Sequence, residues 1–174
     1  VMRRIYSSPV PYDGPLSSEH TEYIGKPWQV FWHENCYMAV DCLGICKYHT
    51  VFLGATLPNF EDWTKVLYYN TGLEFTPREI WDIAERCNMI ERLFNLREGL
   101  QREDLKKGDM LNHRYFDEPT RRGAPDVVGR VIDREKFKKM VDEFYEYKGL
   151  DQKGVPKPET LKRLGVDKEP SHLL

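Results

Sequence analysis

Apolar residues recur at helical spacing along most of the chain. Between residues 28 and 41 they stand three or four positions apart, which places them on one face of a helix that begins after Pro27. A second helix is predicted from Asn59, as its N-cap, to about Tyr69. The positions predicted to face inward on these two helices are Trp28, Phe31, Trp32, Cys36, Ala39, Val40, Phe60, Trp63, Val66 and Leu67.

The clearest helix start in the sequence is the segment Thr76–Glu79. It combines a threonine N-cap, a proline in the first turn and a glutamate that can complete a capping box. This helix is predicted to reach about Arg97, and another is predicted between Asp133 and Lys148. Their predicted inward positions are Ile80, Ile83, Ala84, Cys87, Ile90, Leu93, Phe94, Phe137, Met140, Val141, Phe144 and Tyr145.

No alternating, strand-like pattern persists in the sequence, so the predicted fold class is all-α. We expect an irregular helical domain over residues 27–174, preceded by an extended lead-in over residues 1–26 that is rich in proline and serine. An apolar run at 45–55 is predicted to form a separate element, and a short last helix is predicted over 159–164. Residues 100–130 are polar and are predicted to form a long loop.

Composition narrows the class of protein. The 174 residues are 40% hydrophobic and 13% aromatic, which is typical of a globular chain with a packed core. A formal net charge of −2 indicates no nucleic-acid partner, and no apolar run is long enough to span a membrane. We therefore expect a cytoplasmic protein and, because the chain begins at Val1 rather than at methionine, a fragment of a longer one.

The segment from Asn35 to Lys47 is the most informative part of the chain. Its apolar composition predicts burial, yet it contains Asp41 and three thiols. A buried carboxylate is costly unless it is paired or hydrogen-bonded, and the neighbouring sequence offers no obvious partner. One alternative is that backbone N–H groups just beyond the helix end, such as that of Gly44, bind the carboxylate.

A chain reversal is predicted within this segment. We expect the helix to end near Leu43, a turn at Gly44 and a new element from Ile45. Asp41 and Cys46 would then flank the reversal and face the same ligand.

The four cysteines match no familiar metal-binding or disulfide spacing. Cys36, Cys42 and Cys46 are spaced more widely than the ligands of a zinc ribbon or of a complete iron–sulfur run. A disulfide framework is also not expected in an intracellular chain. Cys36, Cys42 and Cys87 are therefore interpreted as small residues packed in the core, and Cys46 as the exception.

The hexapeptide from Asp41 to Cys46 resembles the D-x-x-G-L-C signature of the tungsten-containing aldehyde ferredoxin oxidoreductase family, with Ile45 in place of leucine. Other segments resemble the same family in the same order. They are Tyr23–Lys26, Glu91–Gly99, Arg114–Phe116 and Gly154–Pro156. From about residue 23 onward, the chain is similar to the C-terminal part of these enzymes.

The resemblance implies a reaction and a set of cofactors. The full-length enzyme is expected to hold tungsten, or molybdenum, on two molybdopterin-type pterins beside a 4Fe-4S cluster. It is expected to oxidise aldehydes to carboxylic acids, with ferredoxin as the electron acceptor. Asp41, Gly44 and Ile45 are expected to contact a pterin, and Cys46 is expected to be a cluster ligand. No catalytic residue is expected in this chain.

Several parts of such an enzyme are not found in the sequence. These are the other three cluster cysteines, the N-terminal domain that cradles the pterins and a second pterin-binding motif. We therefore expect residues 27–174 to be the C-terminal domain of a larger oxidoreductase whose missing N-terminal part is its partner. The isolated chain is expected to be inactive and to bind no cofactor. Two alternatives stay open: a catalytic subunit of the benzoyl-coenzyme A reductase type on the same scaffold, and a helical interaction domain without a cofactor.

Overall fold

The computed structural model describes residues 8–49, 59–105 and 108–167. Within these ranges it contains α-helices, one 3₁₀ turn at Lys47–His49 and no β-structure beyond an isolated bridge between Leu150 and Pro156. The helices are α1 (Lys26–Cys42), α2 (Phe60–Thr71), α3 (Pro77–Arg97), α4 (Arg114–Asp117), α5 (Arg134–Lys148) and α6 (Pro158–Leu164). The predicted all-α fold class is confirmed.

The starts of α2, α3 and α5 follow from local capping. Thr76 accepts a hydrogen bond from the N–H of Glu79 at 3.2 Å, and the Glu79 carboxylate accepts one from the N–H of Thr76 at 2.7 Å. Asn59 and Asp62 form the same reciprocal box at the start of α2. Asp133 caps α5. Each of these predicted helix starts is confirmed.

Helix α1 lies at the centre of the fold and packs against both α3 and α5. Trp28 on α1 stacks on Tyr12 of the lead-in, with ring centroids 4.5 Å apart, and lies 6.4 Å from the Trp81 ring of α3. The buried residues of this main cluster are Trp28, Phe31, Trp32, Cys36, Ala39, Val40, Phe60, Trp63, Ile80, Trp81 and Ala84. Every inward position predicted for α1 is therefore buried.

The predicted inward faces of α2 and α3 are partly wrong. Val66 on α2 is exposed, as are Ile90 and Phe94 on α3. Trp81 and Met89, which were not predicted to face inward, are buried. The first half of α3 contributes to the main cluster, whereas Met89 joins a second cluster with α5 and the C-terminal segment. The inward face therefore shifts along α3, and a single periodic stripe cannot describe it.

A buried ionic network ties the polar loop to the second cluster. Arg92 is 7% exposed and donates from Nε to the carbonyl of Gly154 at 3.0 Å. Its terminal nitrogens bind both carboxylate oxygens of Asp109, at 2.9 and 2.7 Å. The Tyr145 hydroxyl donates to Asp109 at 2.5 Å, and the Tyr145 ring lies 5.5 Å from the guanidinium of Arg92 and 5.1 Å from that of Arg102. The segment after α3 is thereby fixed to α5 and to the turn before α6.

The network stabilises the ionised form of Asp109 and the neutral form of Tyr145. Burial alone would raise the pKa of Asp109, but hydrogen bonds from Arg92 and Tyr145 outweigh it and hold this pKa below its ordinary value. Burial and the bond to Asp109 raise the pKa of Tyr145 to about 12. The ionised Asp109 therefore stabilises the fold above its ordinary pKa, and that contribution is lost as the pH falls through its lowered pKa.

The described part of the lead-in, residues 8–25, is irregular and turns at 20–21 and 24–25. Tyr12 packs on α1, and the carbonyl of Ser17 accepts hydrogen bonds from Lys26 and Gln29 at 2.8 and 2.9 Å. Residues 1–7 and most of the predicted element at 45–55 lie outside the described residues. The boundary between residues 26 and 27 stays a prediction. In the part of the chain that the structure covers, no helix is both long and apolar enough to cross a membrane.

We expect Arg92→Met to lower the free energy of unfolding by about 3 kcal/mol, because it leaves the partly buried carboxylate of Asp109 without its cation. Arg78→Met on the same helix is the matched control. It removes an exposed ion pair with Asp82 and should cost less than about 0.5 kcal/mol. Urea unfolding followed by circular dichroism measures both. Equal losses in the two variants would contradict a structural role for the network.

Candidate functional site at the end of helix α1

The turn after α1 is a Schellman cap. The N–H of Ile45 donates to the carbonyl of Val40 at 3.0 Å, and the N–H of Gly44 donates to the carbonyl of Asp41 at 3.1 Å. Gly44 has a φ of 67°, in the left-handed region, and a Cβ added there would meet nothing within 4 Å. Backbone conformation, and not lack of space, is therefore what favours glycine here. Ile45 packs against the main cluster, as expected for the apolar residue of this cap.

Asp41 is exposed, and the prediction that it is buried is wrong. Its side chain is 54% exposed, and one carboxylate oxygen lies 2.8 Å from Nζ of Lys47. Lys47 also lies 5.5 Å from the ring centroid of Tyr37, one helical turn before Asp41. The expectation of no partner nearby in sequence is therefore wrong as well. So is the alternative in which the N–H groups of Gly44 or Ile45 bind the carboxylate, because both donate to backbone carbonyls.

The position of Asp41 is electrostatically unfavourable within the helix. A carboxylate in the last turn is opposed by the helix dipole, and the last turn of α1 contains no basic residue. Lys47 supplies a positive charge from beyond the helix end. An ion pair this exposed contributes no more than about 1 kcal/mol. Stability therefore gives little reason for a carboxylate at this position.

The four cysteines differ sharply in environment. Cys36 is buried, as predicted, and burial raises the pKa of its thiol to about 12. Cys42 and Cys46 are exposed and Cys87 is half-buried, so the prediction of core packing is wrong for Cys42. The Sγ atom of Cys42 lies 3.8 Å from that of Cys87 on α3. Cys46 is thus the exposed thiol that directly follows the capped turn.

The surface beside the turn is partly apolar. Cys87 brings α3 next to the end of α1, and Ile90 and Phe94 follow Cys87 on the same face at helical spacing. These two side chains are 40% and 50% exposed. The face of α3 that includes Cys87 therefore carries exposed apolar surface, and the guanidinium of Arg97 lies 4.7 Å from the centroid of the Phe94 ring. Sequence periodicity had placed Ile90 and Phe94 in the core.

None of the grooves found among the described residues is lined by Asp41 or Cys46. A groove of about 540 Å³ lies elsewhere, between the lead-in, the polar loop and α5, and its lining includes Tyr23, Arg130 and Lys136 but neither Asp41 nor Cys46. Among the residues that the structure describes, no group of three or more histidine, cysteine, aspartate or glutamate side chains is arranged to hold a metal ion. The described part of the turn offers the carboxylate of Asp41 and the exposed thiols of Cys42 and Cys46.

Comparison with known proteins identifies the family. The family model described as aldehyde ferredoxin oxidoreductase, domains 2 and 3, matches residues 4–166. This chain belongs to the aldehyde ferredoxin oxidoreductase family. The resemblance found in the sequence is thereby confirmed, and it places the chain in the C-terminal part of the family's enzymes.

Several relatives are much longer than this chain. The tungsten-containing aldehyde ferredoxin oxidoreductase of Pyrococcus horikoshii is 34% identical over 128 residues, which are 74% of this chain and 19% of that protein. The same-named protein of Thermococcus kodakarensis is 31% identical over 127 residues, 73% of this chain and 19% of that protein. The WOR-like subunit of the aliphatic sulfonate oxidoreductase of Pyrococcus furiosus is 29% identical over 151 residues, which are 85% of this chain and 23% of that protein. The chain thus spans about a fifth of the length of these relatives.

A solved structure shares the fold. It is the active-site complex BamBC of benzoyl-coenzyme A reductase with 1,5-dienoyl-CoA, which matches with a TM-score of 0.59 and 21% identity. The match covers 92% of this chain and 22% of that one. This likeness supports the irregular helical architecture over nearly the whole chain.

We expect the backbone of Gly44, and not the carboxylate of Asp41, to support the stability of the turn. Gly44→Ala should lower the free energy of unfolding by about 1–2 kcal/mol, the usual cost of a left-handed alanine. Gly72→Ala should cost a similar amount, because Gly72 ends α2 with a φ of 75° and equally open space. Asp41→Asn should change the value by less than about 0.5 kcal/mol. A loss of stability for Asp41→Asn as large as that for Gly44→Ala, in urea unfolding, would contradict this division of roles.

Proposed function

We propose that this chain is the helical C-terminal part of an oxidoreductase that contains a tungsten–pterin and an iron–sulfur cluster and oxidises aldehydes to carboxylic acids. The observation that carries the proposal is the capped turn, which exposes a carboxylate and a thiol within the family's signature hexapeptide. Tungsten and ferredoxin come from the names of the similar enzymes, such as that of Pyrococcus horikoshii. In the proposal, the remaining four-fifths of the enzyme lies N-terminal to this chain.

The described residues of the turn fit a pterin. Lys47 holds one oxygen of the Asp41 carboxylate, which has further acceptor sites for the N–H groups of an amino-pyrimidine edge. Gly44 presents no side chain, and apart from its chain neighbours no described residue lies within 4 Å of the position of a Cβ, so a flat ring can approach its backbone. The N–H of Ile45 is already bonded to the carbonyl of Val40, and its side chain packs against the main cluster. In the proposal, Ile45 therefore anchors the turn to the core beneath the pterin site.

Cys46 fits a single ligand of an iron–sulfur cluster. Its thiol is exposed, and among the described residues the sulfur–sulfur contact joins Cys42 to Cys87 and does not include Cys46. A thiolate is the usual protein ligand for iron in such clusters. The proposal assigns the remaining three ligands, together with the domain that cradles the pterins, to the N-terminal part of the enzyme.

The tungsten–pterin and the cluster would supply the redox chemistry of aldehyde oxidation when bound. The part played by this chain is binding and positioning. Asp41 orients the pterin edge, the cap at Gly44 fixes Asp41 relative to Cys46, and Cys46 holds one iron. The apolar side chains of Ile90 and Phe94 would be covered by the N-terminal part and would keep water from the turn.

The likeness to benzoyl-coenzyme A reductase keeps a second reaction in consideration, namely a reductive enzyme on the same scaffold. Aldehyde oxidation is favoured because the relatives that share 31–34% identity with this chain are named for it, whereas the benzoyl-coenzyme A reductase chain shares 21%. An assay of the full-length enzyme with aldehydes and with aromatic coenzyme A thioesters separates the two. A helical interaction domain without a cofactor is the third candidate. The iron and tungsten content of the full-length protein separates it from the two enzymes.

In the full-length enzyme, we expect Cys46→Ser to lower the iron content and the visible absorbance of the cluster, because one of its four ligands is lost. Cys42→Ser is the matched control, since Cys42 is an exposed thiol on the same turn that the proposal does not use. Iron analysis and the absorption spectrum measure both variants. Unchanged iron and an unchanged spectrum in Cys46→Ser would remove the cluster role. A wild-type enzyme without iron and tungsten would favour the cofactor-free domain.

We also expect Asp41→Asn to lower the tungsten retained by the full-length enzyme by roughly tenfold, in the range found when supporting hydrogen bonds of a metal site are lost. Asp82→Asn on α3 is the control, because Asp82 also forms an exposed ion pair but lies away from the turn. Elemental analysis after gel filtration measures the metal, and circular dichroism checks that the helices persist. Equal tungsten in wild type and in Asp41→Asn would count against the pterin role.

A further inference from the structure

Two thiols that the proposed function does not use lie against each other beside the capped turn. Cys42 is in the last turn of α1 and Cys87 is in the middle of α3, and their Sγ atoms are 3.8 Å apart. The pair is distant in sequence, so it is the packing of α1 against α3 that brings the thiols together. Of the four cysteines, these are the two for which a sulfur–sulfur contact is observed.

The surroundings of the pair suit stepwise oxidation. Cys42 is exposed, so a small reagent can reach it, whereas Cys87 is half-buried behind it. Closing a disulfide requires the two sulfurs to approach by under about 2 Å, which side-chain rotation can supply when the thiols are already in contact. Ala39 of α1 and Ala84 of α3 are both buried in the main cluster that the two helices share.

We propose that Cys42 and Cys87 form an oxidation site that closes to an internal disulfide, joining the C-terminal turn of α1 to α3. The oxidant is a small-molecule disulfide. The Cys42 thiolate attacks one of its sulfurs, forms a mixed disulfide and releases one small thiol. The Cys87 thiolate then attacks the sulfur of Cys42 and releases the second small thiol. The two protein thiols lose two electrons, the reagent gains them, and both thiol protons end on the released thiols.

The same surroundings make the first step slow at neutral pH. Burial, the hydrogen bond with Cys87 and the negative charges of Asp41 and Glu91 raise the pKa of Cys42 to about 11. Little thiolate is therefore present, and the pair stays reduced unless the oxidant is abundant. Oxidation of this pair leaves Cys46 as the one exposed thiol of the turn. The proposal does not depend on the proposed function, because neither thiol has a role in it.

Oxidised glutathione and the variant Cys46→Ser provide the test, since this variant removes the other exposed thiol. After incubation of the folded 174-residue chain, we expect the intact mass to fall by about 2 Da and two free thiols to be lost. Trypsin leaves Cys36 and Cys42 on one peptide, because no lysine or arginine lies between them. Digestion with trypsin and chymotrypsin, which also cuts after Tyr37 and Leu43, should show the peptide that contains Cys42 linked to the peptide that begins at Cys87. Dithiothreitol should restore the original mass. Adding Cys42→Ser or Cys87→Ser should abolish the loss of 2 Da.

Two results would overturn the proposal. One is a chain that carries only glutathione adducts and no internal disulfide. The other is an internal disulfide that includes Cys36, which is buried. The same peptide map on the chain with Cys46 intact is the second measurement, in case Cys46→Ser does not fold. There a bridge from Cys42 to Cys46 would contradict the proposal, and a bridge from Cys42 to Cys87 with a separate adduct on Cys46 would support it. Iron content plays no part in this test, so its outcome is distinguishable from that of the cluster role.

Discussion

The packing of α1 against α3 is the constraint on which the rest of the structure depends. Both helices contribute buried side chains to the main cluster, among them Trp28 of α1 and Trp81 of α3, whose rings lie 6.4 Å apart. A partly buried hydrogen bond of 3.0 Å from Asn88 to the buried Asn35 fixes the register of the two helices, because sliding would leave the Asn35 amide without this partner. With α1 held in this way, the direction in which the chain leaves it is set by its last turn. The exposed groups of the turn therefore rest on a rigid helix, which is what a site that positions a cofactor requires.

The signature hexapeptide combines two kinds of residue. Gly44 and Ile45 build the cap, one through its left-handed backbone and the other by packing against the core. Asp41 and Cys46 project from that cap and contribute little to it, since the backbone carbonyl of Asp41, and not its carboxylate, takes part in the cap. A short sequence can therefore specify both a local geometry and the chemistry presented on it. The spacing between the carboxylate and the thiol follows from the length of the cap.

Local signals made much of the fold predictable, and long-range contacts account for what was missed. The N-caps at Asn59, Thr76 and Asp133 gave helix starts that hold, because capping involves residues adjacent in sequence. Burial was harder to predict. Periodicity identifies an apolar face on α3 but not whether a neighbouring element covers it, so Ile90 and Phe94 were placed in the core. The network of Arg92, Asp109 and Tyr145 joins residues that are far apart in sequence, so no local sequence pattern indicates it. Lys47 could have been found, because it is the next basic residue across the predicted turn from Asp41.

The unfavourable features of this end of the molecule have a common explanation. The carboxylate of Asp41 opposes the dipole of its own helix, and the apolar side chains of Ile90 and Phe94 are exposed beside it. Each arrangement costs stability in the isolated chain. Among the described residues, Lys47 pairs with the carboxylate and the guanidinium of Arg97 lies 4.7 Å from the centroid of the Phe94 ring, and both contacts are at the surface. This chain spans about a fifth of the length of its relatives. Other parts of a longer protein can cover apolar groups that the chain alone leaves exposed. Under the proposed function, the N-terminal part of the enzyme covers the apolar face and the pterin engages the carboxylate. The same turn that is poorly accounted for in this chain alone then becomes one side of a complete site.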